Sequence, residues 1–132
     1  MIEVTVHKQS AFPVSATAIK KVVAQTFKEH GIVSDAEASV AIVNEAKMLT
    51  YVKEFLGEEG EIARAHPVLS FPTNEIEGQF SFPPDNVIHL GEIIVSYPKA
   101  VEDAAKMGKH VEEVICDLAA HGALHLIGIH HD

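Results

Sequence analysis

The stretch His121-Gly122-Ala123-Leu124-His125-Leu126-Ile127-Gly128-Ile129-His130-His131 decides how the rest of the chain is read. Upstream of it Val111, Val114, Ile115 and Leu118 recur at helical spacing. At ~100° per residue, His121 and His125 continue that stripe, within about 20° of Val114 and Leu118. The pattern predicts a helix from about Lys109 through Ile127 with both imidazoles pointing inward. Four residues of separation put the rings one turn apart on a common face, close enough to share a zinc-sized cation with nitrogen ligands at ~2.0–2.1 Å. Gly128 permits a sharp reversal, after which Ile129-His130-His131 can return a third imidazole, from His131 or from His130, toward the same point. His130 has two other readings, a hydrogen-bond partner of a ligand or a solvent-facing neighbour of Asp132. A histidine pair alone reads as packing or capping, but the glycine and third histidine favour a bound transition metal. Three nitrogens with one position open describe a hydrolytic centre, whereas structural zinc is closed by four protein ligands.

Working back toward the N-terminus, Ile2-Glu3-Val4-Thr5-Val6-His7 alternates at period two and predicts a half-buried strand. Ser15 can cap a helix carrying Ile19, Val22, Val23 and Phe27, with Gly31 as its stop. Ala38–Val43 reads as a second strand, and Asn44 as the cap of a helix through about Leu56, closed by Gly57. Residues 58–66 lack periodicity and read as a long loop. Val68–Phe71 makes a brief strand ended by Pro72, and the segment containing Gly78, Pro83 and Pro84 reads as irregular or as a hairpin arm. His89–Ser96 is a further strand, and a helix from Pro98 to about Lys106 is interrupted by Gly108. This order predicts an α/β (α+β) domain spanning residues 1–132, a short mixed sheet packed with helices, with the metal site on the C-terminal helix and the turn after it.

Composition narrows the function. The chain has 132 residues, which suits one domain and excludes a two-domain cofactor enzyme. It lacks the ~18 continuous apolar residues of a membrane helix, so a soluble, cytoplasmic protein without membrane partners is expected. The single Cys116 offers neither a disulfide nor a zinc ribbon, and it lies about 140° around the helix from His121, as a buried thiol would. A formal charge of −9 opposes broad nucleic-acid binding, so RNA contact would need a local patch drawn from Lys47, Lys53, Lys99, Lys106 and Lys109. The bland alternative is that these lysines are scattered and solvated.

The spacing His121-x-x-x-His125-x-x-Gly128-x-x-His131 reproduces the metal frame of the metzincin proteases, H-E-x-x-H-x-x-G-x-x-H, with Gly122 in place of the glutamate base. The metal frame is kept; the protease's proton acceptor is not. More specifically, the segment resembles the H-G-x-L-H-L-x-G-Y-D-H signature of the YbeY family of bacterial rRNA maturation endoribonucleases. Val68-Leu69-Ser70-Phe71-Pro72 is similar to that family's T-D-V-L-S-F-P segment, and Leu90-Gly91-Glu92-Ile93-Ile94-Val95-Ser96 to its L-G-D-I-x-I-S strand. The resemblance implies a metzincin-related α/β fold and one zinc ion held by His121, His125 and His131. It also implies metal-dependent cleavage of single-stranded RNA in 16S 3′ end processing and ribosome quality control, with rRNA and the ribosome or its assembly proteins as partners.

The chain departs from the family at three places. His130 replaces an Asp, His66-Pro67 replaces Thr-Asp, and Phe55-Leu56 stands where the family has Tyr-Arg. Arg64, the only arginine, is the candidate substitute for that phosphate-binding guanidinium. Its alternative is a solvated ion pair with Glu58, Glu59 or Glu61. Ser70 can line the cleft, although strand alternation alone would also expose it. Two rival functions share the metal frame: a zinc hydrolase or peptidase with another substrate, and a non-catalytic ribosome-assembly factor.

Overall fold

The alternating N-terminus forms β1 (Ile2–Lys8) in the computed structural model, which describes residues 1–73 and 87–129. Ser15 caps α1 (Ala16–Glu29), its hydroxyl accepting from the Ala18 N–H at 3.1 Å. β2 (Ala36–Val43) leads to α2 (Glu45–Leu56), capped by the Asn44 side chain, which accepts from the Lys47 N–H at 2.8 Å. After the short α3 (Glu61–Arg64) come β3 (Val68–Pro72) and β4 (Ile88–Ser96). Then α4 (Tyr97–Met107) is capped by Ser96 and has Pro98 in its first turn, and α5 is Val111–Leu126.

The strands form one mixed sheet in the order β1-β2-β4-β3. β1, β2 and β4 run parallel, and β3 lies antiparallel to β4 at the edge. The expected mixed sheet with packed helices is therefore what forms. One face carries the larger core, in which Ile19, Val23 and Phe27 of α1 and Ile115, Ala119 and Ala123 of α5 close over Val40, Ile42, Ile93 and Val95. The other face is covered more thinly, by Met48 and Val52 of α2 and Ala63 of α3 against Val43, Leu69 and Ile94.

Three expectations need correction. Residues 58–66 are not all loop, because α3 forms one helical turn there. Its driving contact is the burial of Ala63 against the thin core, a tertiary effect invisible to a four-residue pattern. Pro72 is the last residue of β3 rather than the stop after it, and it pairs with Gly91, as an edge strand allows when no N–H is demanded. The last helix begins at Val111 because the Lys109 N–H still closes α4 on the Ala104 carbonyl. The proposed irregular or hairpin arm between Phe71 and Val87 falls largely on residues 74–86, outside the described residues.

Candidate metal centre beside the edge strand

Helix α5 approaches the sheet through small residues. A Cβ added to Gly122 would meet Ile93 Cγ2 at 2.7 Å and Ser70 Oγ at 3.1 Å, so a glutamate at this position fits only if the Ile93 side chain or the helix gives way. The Ser70 hydroxyl donates to the Gly122 carbonyl at 3.1 Å and stitches β3 to α5. Gly91 is similarly confined: its φ is +134°, and a Cβ there would fall 2.3 Å from the Phe71 carbonyl oxygen. Ser70, Gly91 and Gly122 come from the three sequence segments singled out above. They meet at one seam, which sets how closely the histidine-bearing helix lies on the edge of the sheet.

That seam corrects the expected direction of the imidazoles. The centre of the buried stripe on α5 is Ile115, Ala119, Gly122, Ala123 and Leu126. His121 and His125 flank it and are half-buried, facing the cleft beside β3 rather than the core. Their shared face is as expected, with ring centroids 4.5 Å apart and planes tilted by 51°. They line a cavity of about 640 Å³ together with Leu118, Ser70, Pro72, His66 and Leu56. Among the described residues no set of three His, Cys, Asp or Glu side chains forms a metal-holding group. The expected third ligand His131, with His130 and Asp132, lies outside the described residues.

His66 is the cleft residue that sequence reasoning passed over. Its Nε2 donates to Glu58 Oε1 at 2.6 Å, leaving Nδ1 as the basic nitrogen of that tautomer. The signal was present as the departure from Thr-Asp, but a partner eight residues back across α3 has no periodic signature. Arg64 closes α3, and nothing of its side chain is described. Two of the three carboxylates expected to compete for it have other partners, Glu58 with His66 and Glu59 with Lys53 at 3.3 Å.

The lysine patch does not gather at the cleft. Lys99 pairs with Glu102 and Asp103, Lys106 with Glu102 and Lys109 with Asp117, and none of the five candidate lysines lines the cavity. Hydrogen bonding from Lys106 and the charge of Lys99 hold the Glu102 carboxyl below the usual carboxylate range. Lys47 stands apart, its Nζ 5.3 Å from the Tyr51 ring centroid. Cys116 is partly buried, and burial, followed by the charges of Glu112 and Asp117, pushes its thiol pKa up, so it stays protonated and poorly nucleophilic. No helix among the described residues is long and apolar enough to cross a membrane.

The fold is thus a mixed α/β sheet with helices packed on it, and one cleft beside β3 carries His66, His121 and His125. A family model described as endoribonuclease YbeY matches residues 4–132. A protein named endoribonuclease YbeY from Roseiflexus castenholzii is 31% identical over 132 residues, covering all of this chain and 80% of its own length. One of the same name from Dehalococcoides mccartyi is 33% identical over 125 residues, covering 89% of this chain and 76% of its own. A third, from Clavibacter michiganensis, is 30% identical over 130 residues, covering 98% and 82%. The chain belongs to the endoribonuclease YbeY family, and so to the nucleases among hydrolytic enzymes.

Proposed function

We propose that this chain acts as one domain, a zinc-dependent endoribonuclease that cuts single-stranded RNA in the cytoplasm. Its work is maturation of rRNA, including the 16S 3′ end, and ribosome quality control beside the ribosome or its assembly proteins. The observation that carries this reading is the His121–His125 pair on the cleft wall of a chain matched to the family from residue 4 to 132. Two nitrogen donors one turn apart on a common wall fit an ion of the zinc class, and His121, His125 and His131 would hold it. When bound, zinc supplies Lewis acidity toward a phosphodiester and acidifies water.

The remaining steps fall to the chain's own groups. Gly122 supplies no base, which disfavours the peptidase rival. His66, oriented by Glu58 at Nε2, offers Nδ1 to hold a proton at the cleft wall. Ser70 and Gly122 keep the histidine helix seated on β3. Arg64 remains the candidate for contact with the scissile phosphate.

Elemental analysis of untagged protein, joined to cleavage assays on single-stranded RNA with wild type and His121→Ala, tests this. The expected result is stoichiometric zinc and metal-dependent cutting that His121→Ala loses. Zinc without cutting would leave the assembly-factor rival, and turnover of peptides without response to RNA would leave the hydrolase rival.

A further inference from the structure

On the thin face of the sheet three aromatic rings form a short ladder, in which Tyr51 and Phe71 pack against the core and Phe55 stands outside it. Tyr51 and Phe55 of α2 lie with centroids 6.2 Å apart and planes within 21°, and Phe55 meets Phe71 of β3 at 4.9 Å. The buried positions of α2 are Met48 and Val52, whereas Phe55 is 56% exposed. Its ring is held by a neighbour from each element, so its orientation is set before any ligand arrives. Phe55 and Phe71 are the two rings whose chain neighbours reach the cleft. Leu56, which follows Phe55, lines the cavity, as do Ser70 and Pro72 on either side of Phe71. Successive side chains of a strand point to opposite faces, so β3 separates the histidine wall from the ladder by its own thickness.

We propose that Tyr51, Phe55 and Phe71 are a nucleobase-stacking subsite for the unpaired RNA strand whose phosphodiester enters the cleft, an inference that rests on the ribonuclease reading above. Aromatic stacking accepts any base, because every base has a π-face, and it rejects a duplex, whose base faces are already covered. Charge points the same way. Four of the five candidate lysines are tied to carboxylates in a chain of net charge −9, so phosphate neutralisation has little to offer. Lys47, one turn before Tyr51 on the same stripe of α2, is the cation placed to meet a phosphate beside a stacked base.

The chain has no tryptophan, so Phe55→Trp places a unique fluorophore in the ladder. Stopped-flow fluorescence reads the encounter with a short unstructured oligoribonucleotide before cleavage. The expected result is quenching by that strand, and none by the same strand annealed to its complement or by inorganic polyphosphate. Phe55→Leu, which keeps apolar bulk without a π-face, is expected to weaken binding about 5- to 150-fold while its melting curve shows the variant fully folded at the assay temperature. The salt dependence of wild-type binding is expected to be shallow, a log–log slope of about −1.4 or less for two phosphate contacts. Equal quenching by polyphosphate or duplex, undiminished binding by Phe55→Leu, or a steep salt slope would overturn the subsite. If the wild type still binds and cuts the RNA in those cases, the ribonuclease reading survives; if it neither binds nor cuts, both fall.

Discussion

The two faces of the sheet are built to different standards. Beneath α1, α4 and α5, 18 buried residues form one continuous core, while beneath α2 and α3 only six do, among the described residues. The thick face is where chain geometry is exacting: α5 leaves Gly122 no room for a Cβ, β3 and Leu126 of α5 leave none at Gly91, and the histidine pair inherits its position from that fit. The thin face keeps aromatic surface in reserve, with Phe55 exposed and Tyr51 and Phe71 only partly covered. Groups that must hold an ion to a few tenths of an ångström belong on rigid packing, and groups that must accept varied bases tolerate a looser support.

Truncating each face should expose this contrast. Phe27→Ala, in the thick core, is expected to cost about 3–5 kcal/mol by urea denaturation. Met48→Ala, under α2, should cost about 2 kcal/mol, because Tyr51 and Phe71 can close toward the space. Equal losses would erase the distinction between the faces. Gly122→Ala tests the seam directly: forcing a Cβ against Ile93 should cost about 1.5 kcal/mol, and RNA cleavage should fall further than stability alone explains as α5 shifts on the sheet. Retention of full activity in that variant would show that the seam does not place the histidines.

Two finer effects sharpen the same picture. Ser70→Ala removes the hydroxyl bond to the Gly122 carbonyl and should cost about 1 kcal/mol, seen as a lowered urea midpoint. Cys116, at the margin of the thick core, has its thiol pKa raised in the folded state. The protonated thiol's contribution is therefore complete below the ordinary thiol range, about 8.5, and is lost as pH climbs through the raised folded value. The advantage of wild type over Cys116→Ala in urea midpoint should shrink as pH rises above that range. A difference that stays constant from neutral to alkaline pH would contradict the assignment.

Much of this was legible in residue order because its causes are local. Ser15 and Asn44 cap helices with their own side chains, and the period-two run of β1 needs only one buried face. The common face of His121 and His125 follows from helical geometry alone. What failed to show had partners distant in the chain. The turn of α3 depends on burial of Ala63, and the His66–Glu58 contact depends on that turn; neither leaves a periodic trace.

Residue order by itself thus determined the helices, most strand limits and the pairing of two imidazoles on one wall, since each depends on a few neighbouring side chains. Tertiary structure alone decided that Gly122 is a packing residue and that the imidazoles face a cleft rather than the core. It also brought Phe55 and Phe71 together. The reason is steric and long-range: how near α5 and α2 come to the two faces of β3 depends on every side chain between them.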